Sequence, residues 1–317
     1  MQSRPPLGMA ATRQIDPSIA SRREARRNAE RAESIVRAKD MHSARIDFEA
    51  RSARTSLSRS PPVSRGVHIG CSGWYYRHWA NAFYPPGLPS SRWFQHYADK
   101  FGTVELNAPF YSWPSLKTVG AWNRQVGQRE FVYSIKANEL ITHIKRFART
   151  DTLVRDFGFI ADLLGPRFGC FLYQLPPSFK YSKIALHRIL RQLDPRRRNV
   201  VEFRHKTWWD ERVFEAFRNS GTIFCSASGP RLPDVLVDTA ADVYIRFHGK
   251  EKWYRHDYSR EELEVWANRI QASRATGVWA YFNNDRDGNA LKNAHELQRQ
   301  LKCVGDPTQR KRGSTLA

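Results

Sequence analysis

Eight short apolar runs, spaced so that amphipathic helical stretches fit between them, constrain this chain more than any other feature. They fall at 67–74, 103–110, 131–138, 170–175, 199–204, 222–226, 243–249 and 278–283. Such alternation demands a mainly parallel sheet, because parallel neighbours need a crossover rather than a hairpin. The stretches between carry helix start and stop signals. Ser259 and Glu262 make a capping box ahead of Leu263, Trp266, Ala267 and Ile270 at helical spacing. Asp151 opens a helix with Leu153, Val154, Phe157, Ile160 and Leu164 on one face, and Gly165-Pro166 ends it. Gly221 closes another that carries Val213, Phe214 and Phe217. Eight strands with eight helical segments, over roughly the length of one barrel, select a TIM-type (β/α)8 barrel over an open doubly wound sheet. The first run leads into Gly70-Cys71-Ser72-Gly73-Trp74, which is not the glycine fingerprint of a dinucleotide site, and no P-loop is present.

The barrel is assigned to 66–304. Ahead of it, 1–65 reads as a disordered Arg-rich arm. From Met1 to Gly66 there are 14 Lys+Arg against 7 Asp+Glu, and Phe48 is the one aromatic residue. That composition buries too little apolar surface to offset the entropy of ordering. Within the arm, 18–54 repeats Arg and Glu at helical spacing, so a solvated helix is expected there. The arm lacks the apolar core of a secretory signal, and its acidic residues argue against a transit peptide. At the other end, 305–317 reads as a basic flexible tail with Gln309-Arg310-Lys311-Arg312.

The whole chain of 317 residues carries a formal net charge of +21, with 41% hydrophobic and 13% aromatic residues, ample for a large core. No run approaches the roughly 18 apolar residues of a membrane span. Cys71, Cys170, Cys225 and Cys303 lie far apart, which fits neither a disulfide framework nor a zinc ribbon and points to a reducing cytoplasm.

Chemistry in such a barrel gathers where its strands end, so polar residues late in an apolar run are informative. Period-two spacing puts Glu105 and Asn107 on one face, as it does Ser134, Lys136 and Asn138. The same holds for Glu202 and Arg204, with His205 following; for Tyr244, Arg246 and His248; and for Tyr281 and Asn283, with Asn284 following. Gln174 ends the fourth run before Pro176-Pro177. The alternate positions are apolar and suit a helix layer, so the polar faces are expected to point into the barrel. The bland account is a buried ionic network. The functional account is a polar pocket in which basic groups outnumber acids, with Glu105, Lys136, Glu202 and His248 as catalytic candidates. Asn107, His143, Gln174, Arg204, His205, Arg246, Tyr281, Asn283 and Asn284 are then the substrate-binding candidates.

Several blocks in order resemble the YecE-like family, the domain of unknown function 72. They include Ile69-Gly70-Cys71-Ser72-Gly73-Trp74, Phe83-Tyr84-Pro85-Pro86-Gly87-Leu88-Pro89 and Val104-Glu105-Leu106-Asn107. Tyr173-Gln174-Leu175-Pro176-Pro177, Val201-Glu202-Phe203-Arg204-His205, Arg246-Phe247-His248-Gly249 and Tyr281-Phe282-Asn283-Asn284 continue the series. The resemblance spans 67–301 and implies a TIM-type barrel in a cytosolic protein of bacterial type. It implies no activity, since none is established for the family. Two positions depart from the family pattern: Ser228 stands where an aspartate is common, and Ala108-Pro109 replaces a small polar residue followed by Thr.

Three chemistries compete. His143, His205, His248 and the two glutamates could hold a divalent metal, but no local ligand spacing is present and the nearby cations oppose it; no cofactor is signalled. Glu105 and Glu202 could serve as a glycosidase pair, but neighbouring arginines depress rather than raise the pKa of a general acid. An enzyme acting on a small phosphorylated or otherwise anionic substrate fits best, with Arg246, His248 and Asn283 expected to converge on the anion. Trp74, Tyr75, Tyr111 and Trp208 are candidate rim aromatics. The competing class is a nucleic-acid-binding protein using the basic arm and surface. No membrane partner is expected.

Overall fold

Each of the eight apolar runs forms a strand: β1 (Gly66–Cys71), β2 (Thr103–Leu106), β3 (Val132–Lys136), β4 (Phe168–Gln174), β5 (Asn199–Glu202), β6 (Ile223–Ser228), β7 (Asp242–Phe247) and β8 (Gly277–Phe282). The computed structural model describes residues 17–52 and 66–305; expectations for 1–16, 53–65 and 306–317 fall outside the described residues. The helices are α1 (Pro17–Ser52), α2 (Trp93–Ala98), α3 (Ala108–Tyr111), α4 (Leu116–Val126), α5 (Asp151–Leu164), α6 (Lys183–Leu190), α7 (Glu211–Ser220), α8 (Arg260–Ala272) and α9 (Asn289–Gly305). The predicted signals hold. The Ser259–Glu262 capping box opens α8, Gly165 at φ 57° follows α5, and Gly221 at φ 67° ends α7 in the left-handed conformation. Among the described residues, no helix is long and apolar enough to cross a membrane.

All pairings are parallel, in the order β1-β8-β7-β6-β5-β4-β3-β2, so the strands curl into a TIM-type barrel. The chain's first and last strands are locked by a ladder from Gly66–Gly277 to Cys71–Phe282. The remaining joint, β1 against β2, has no backbone ladder. There the Cys71 N–H donates to the Tyr97 hydroxyl at 2.8 Å, and that hydroxyl donates to the Thr103 carbonyl at 3.0 Å. A Cβ on Gly70 would lie 2.3 Å from the Thr103 oxygen, so the approach of the two strands requires glycine here.

Inside, Trp279 forms the barrel floor, stacked 4.0 Å from His68 and donating to Asp242 at 3.2 Å. Gly169 leaves it room, since a Cβ there would sit 2.8 Å from the indole. Above the floor, the Tyr281 hydroxyl meets Thr103 at 2.6 Å and Ser134 at 2.9 Å. Cys170 and Cys225 are buried at this depth, and burial raises both thiols well above their ordinary pKa.

The expected eight helical segments require one correction. The crossover from β6 to β7, residues 229–241, contains no helix. Pro230 and Pro233 remove two backbone donors and disfavour helix before them, so the segment runs as a strap. Hydroxyls tie it to β6: Ser226 accepts from the Val237 N–H at 2.9 Å, and Thr239 accepts from Phe224 and donates to Thr222, each at 2.9 Å.

The helix expected within the arm is present, but it is docked rather than solvated. Ser34, Ala38, Met41, Arg45 and Phe48 recur at alternating steps of four and three, and that stripe lies on α5 and the loop after β2. Ser34 accepts from the Trp113 N–H at 3.1 Å, Arg45 donates to Asp156 at 2.8 Å, and Phe48 packs 5.2 Å from Phe159. Ser and Arg within the stripe hide its periodicity in the sequence. Met41→Ala should weaken this docking by about 2–3 kcal/mol, the usual cost of emptying a buried methionine site. Limited proteolysis should then cut within 17–52 while barrel circular dichroism is retained; unaltered cleavage would contradict the packing role assigned to Met41.

Candidate functional site

The polar strand faces meet inside the barrel, at two depths. The lower level is a closed ionic ladder across three non-adjacent strands. Arg246 on β7 donates through Nη2 to Glu105 Oε1 on β2 and through Nη1 to Glu202 Oε2 on β5, each at 2.6 Å. Glu105 also accepts from Ser72 Oγ at 2.8 Å and from the Tyr244 hydroxyl at 2.7 Å. Glu202 accepts from Arg204 Nε and lies 3.0 Å from His248 Nε2. Glu105, Glu202, Arg246 and His248 are all buried.

Charges so placed survive only because each finds its complement. Burial would push the Glu202 carboxyl up, but Arg204 and then Arg246 hold it well below its ordinary value. His248 is driven well below 6.5 by burial and then by the Arg204 guanidinium, so it is neutral. The Asn283 side-chain nitrogen lies 3.2 Å from its Nδ1.

The upper level retains contact with solvent. Asn107, Lys136, His143, Arg204, His205 and Asn283 are partly exposed here, at or just beyond the strand ends. Arg204 is covered by Trp253, whose ring centre lies 4.6 Å from its guanidinium carbon. Trp253 comes from the loop after β7 and presses on Gly229, where a Cβ would approach its ring to 2.9 Å. Lys136 ends β3, two residues beyond Ser134, the register partner of Glu105. Its ammonium lies 4.0 Å from the Phe110 ring centre and, among the described residues, has no hydrogen-bond or ion-pair partner. Burial first, then the Arg246 charge, lowers its pKa from 10.5 to about 7, with Glu202 and Glu105 pulling the other way.

Of the four catalytic candidates, therefore, Lys136 alone keeps access to the mouth, while Glu105, Glu202 and His248 lie beneath it. Arg246 was expected to bind ligand, yet both terminal nitrogens are taken by carboxylates. Tyr281 sits deeper still, among the hydroxyls over the floor. Asn284 turns away from the mouth to donate to the His256 carbonyl at 2.8 Å and to Asn293 at 2.6 Å. Arg246, His248 and Asn283 thus converge on the ladder and not on an open cradle. Gln174 donates to the Leu175 carbonyl at 2.6 Å, and His205 caps a short turn by accepting from the Thr207 N–H. His143 lies 2.9 Å from the Thr142 hydroxyl, and burial followed by Lys136 lowers it to about 4.

The three histidines do not converge, and the described residues contain no cluster of three or more His, Cys, Asp or Glu suited to a metal. Trp208, taken as a rim aromatic, is fully buried and stacks 3.8 Å from Phe203; Tyr75 and Tyr111 are exposed as expected of a rim. Ser228 accepts from the Tyr258 hydroxyl at 2.8 Å, and its carbonyl accepts from the His248 N–H at 2.9 Å.

Sequence reasoning did not place Ser72 or Trp253 in the site. The polar Ser72 directly after an apolar strand is a usable signal. Trp253 lies in a loop without periodicity and gives none.

The family model described as protein of unknown function DUF72 matches residues 68–314, leaving α1 outside the match. The chain is 25% identical over 266 residues to the UPF0759 protein YunF of Bacillus subtilis, covering 73% of this chain and 93% of that one. It is 25% identical over 263 residues to the UPF0759 protein YecE of Escherichia coli, covering 74% and 93%. The crystal structure of a DUF72 family protein from Thermotoga maritima has a TM-score of 0.67 at 27% identity, over 74% of this chain and 99% of that one. A DUF72 family protein from Enterococcus faecalis, with a TM-score of 0.62 at 17% identity over 75% and 96%, shares the fold.

Proposed function

The chain belongs to the DUF72 family, and we propose that its barrel is an enzyme acting on a small phosphorylated or otherwise anionic substrate at the C-terminal mouth. The observation that carries this reading is the unpartnered Lys136 amine. Three cations (Lys136, Arg204 and Arg246) meet two carboxylates (Glu105 and Glu202), and the carboxylates are consumed by the arginines. A protonated Lys136 therefore leaves one positive charge without a counterion, and an anion above it completes the balance. Arg204 adds its guanidinium, whose Nε donates to Glu202 and whose Nη2 lies 2.9 Å from His248 Nε2, with Trp253 over it. Asn107 has a buried, unpaired carbonyl oxygen that can accept from a hydroxyl elsewhere on the substrate, not from the anion itself.

An amine lowered from 10.5 to about 7 also works against folding, because the unfolded chain holds that proton across the whole interval and the folded chain does not. Lys136→Met should consequently be more stable than the parent at pH 7, on the order of 2 kcal/mol once its partial exposure is allowed for. Inorganic phosphate at about tenfold its Kd should stabilise the parent by about 1.4 kcal/mol and leave the variant unchanged. Since the amine attracts the anion only when it is protonated, the effect should be larger at pH 6 than at pH 8. Thermal denaturation with and without phosphate reads all of this, and equal stabilisation of both proteins removes Lys136 from the binding site.

A further inference from the structure

We propose that Lys136 is a nucleophile that forms an imine with a carbonyl group of the substrate, which places the substrate among small aldehydes or ketones that also carry a carboxylate or phosphate. This rests on the anionic-substrate reading and adds a covalent step to it.

Four features of the mouth point to Lys136. Its amine is partly exposed and has no hydrogen-bond or ion-pair partner among the described residues, so no hydrogen bond must break before it reacts. Among the described residues, the thiols and the serine nearest the ladder are not available: Cys71, Cys170 and Cys225 are buried, and Ser72 Oγ is committed to Glu105. The groups facing Lys136 come from every side of the barrel. They are Arg246 from β7, Glu202 and Arg204 from the end of β5, Glu105 from β2 and His143 after β3. Burial and the Arg246 and Arg204 charges outweigh the pull of Glu202 and Glu105, so a large fraction of the amine is neutral near pH 7. That is the condition for a lysine to attack a carbonyl. Finally, the ladder beneath fixes Arg204 beside the amine, so an anionic group on the substrate has a cation to rest on while its carbonyl meets Nζ.

The step balances without a further reactant. The neutral Nζ lone pair forms a bond to the carbonyl carbon, and the carbonyl oxygen takes a proton. Nζ releases its two protons in the course of the addition and dehydration, the C–O bond breaks, and water leaves. No atom is oxidised or reduced. The resulting imine, once protonated, draws electrons from the neighbouring carbon, which is the chemistry of proton transfer or carbon–carbon cleavage beside a carbonyl.

The test is reductive trapping on the full chain. Pyruvate and dihydroxyacetone phosphate, each with sodium cyanoborohydride at pH 7, supply a carboxylate and a phosphate arm. Peptide mass mapping should find the reduced adduct on Lys136 at least about tenfold above exposed lysines such as Lys100. A surface amine with an ordinary pKa is about a thousandfold less neutral at that pH. The pH profile of labelling should have its midpoint about 7, and the adduct should vanish in Lys136→Met, whose fold is checked by circular dichroism. Adducts spread over surface lysines with Lys136 unmodified overturn the imine. If phosphate still stabilises the parent through Lys136 in that case, the anion reading stands alone. Trapping at Lys136 without any stabilisation by phosphate keeps the nucleophile and overturns the anionic requirement.

Discussion

Glu202→Gln should cost roughly 3–5 kcal/mol of stability at pH 7, because it removes the shared counterion of two guanidiniums at a position without solvent. The amide can still accept a hydrogen bond, but it cannot neutralise Arg204 and half of Arg246. The loss should be largest at neutral pH. In the parent, the depressed Glu202 pKa contributes stability above the unfolded-state value of about 4.5. That contribution fades as pH falls toward the lower folded-state value, so parent and variant converge in acid. Urea denaturation at pH 7 and pH 4 measures both parts. A difference below about 1 kcal/mol at pH 7, within the range of an exposed ion pair, would mean that the ladder does not act as a unit.

Arg246→Met should be at least as damaging. Glu202 keeps Arg204, but Glu105 is left with the neutral donors Ser72 and Tyr244 in a fully buried position. Removing one partner of a buried ion pair typically costs about 3–5 kcal/mol, because the remaining charge is left uncompensated. Urea denaturation at pH 7 measures the loss, and a difference below about 1 kcal/mol, the range of an exposed pair, would show that Glu105 does not depend on Arg246.

The alternation of apolar and polar residues carried the fold and the side of each strand, and both were legible. Val104 and Leu106 against Glu105, or Ile245 and Phe247 against Tyr244 and Arg246, leave little choice of face. Depth was not legible. Period two says that Arg246 and Lys136 both face inward. Whether each meets a carboxylate depends on pairings between β2, β5 and β7, which are distant in the chain and meet only across the barrel. This is why Arg246 looked like a ligand residue and proved to be the centre of the ladder, while Lys136 was one candidate among four. The strap at 229–241 breaks the alternation of strand and helix that holds elsewhere, and Pro230 and Pro233 forbid most of a helix there. The docking of α1 is not legible in the sequence because two of the five positions in its buried stripe are Ser34 and Arg45, whose partners Trp113 and Asp156 lie far along the chain.

The joint between β1 and β2 gives the barrel a seam. Seven of its eight joints are parallel backbone ladders, although β5 and β6 pair at two positions only and β3–β4 carries a register shift, whereas this one is bridged by a phenol spanning two main chains. The cylinder is therefore closed along one line by side chains. That line ends at the mouth, where Ser72 donates to Glu105 and its carbonyl accepts from Asn107. The seam without a backbone ladder and the chemical end of the barrel coincide, so the same side chains that close the barrel, Ser72 and Asn107, also edge its mouth.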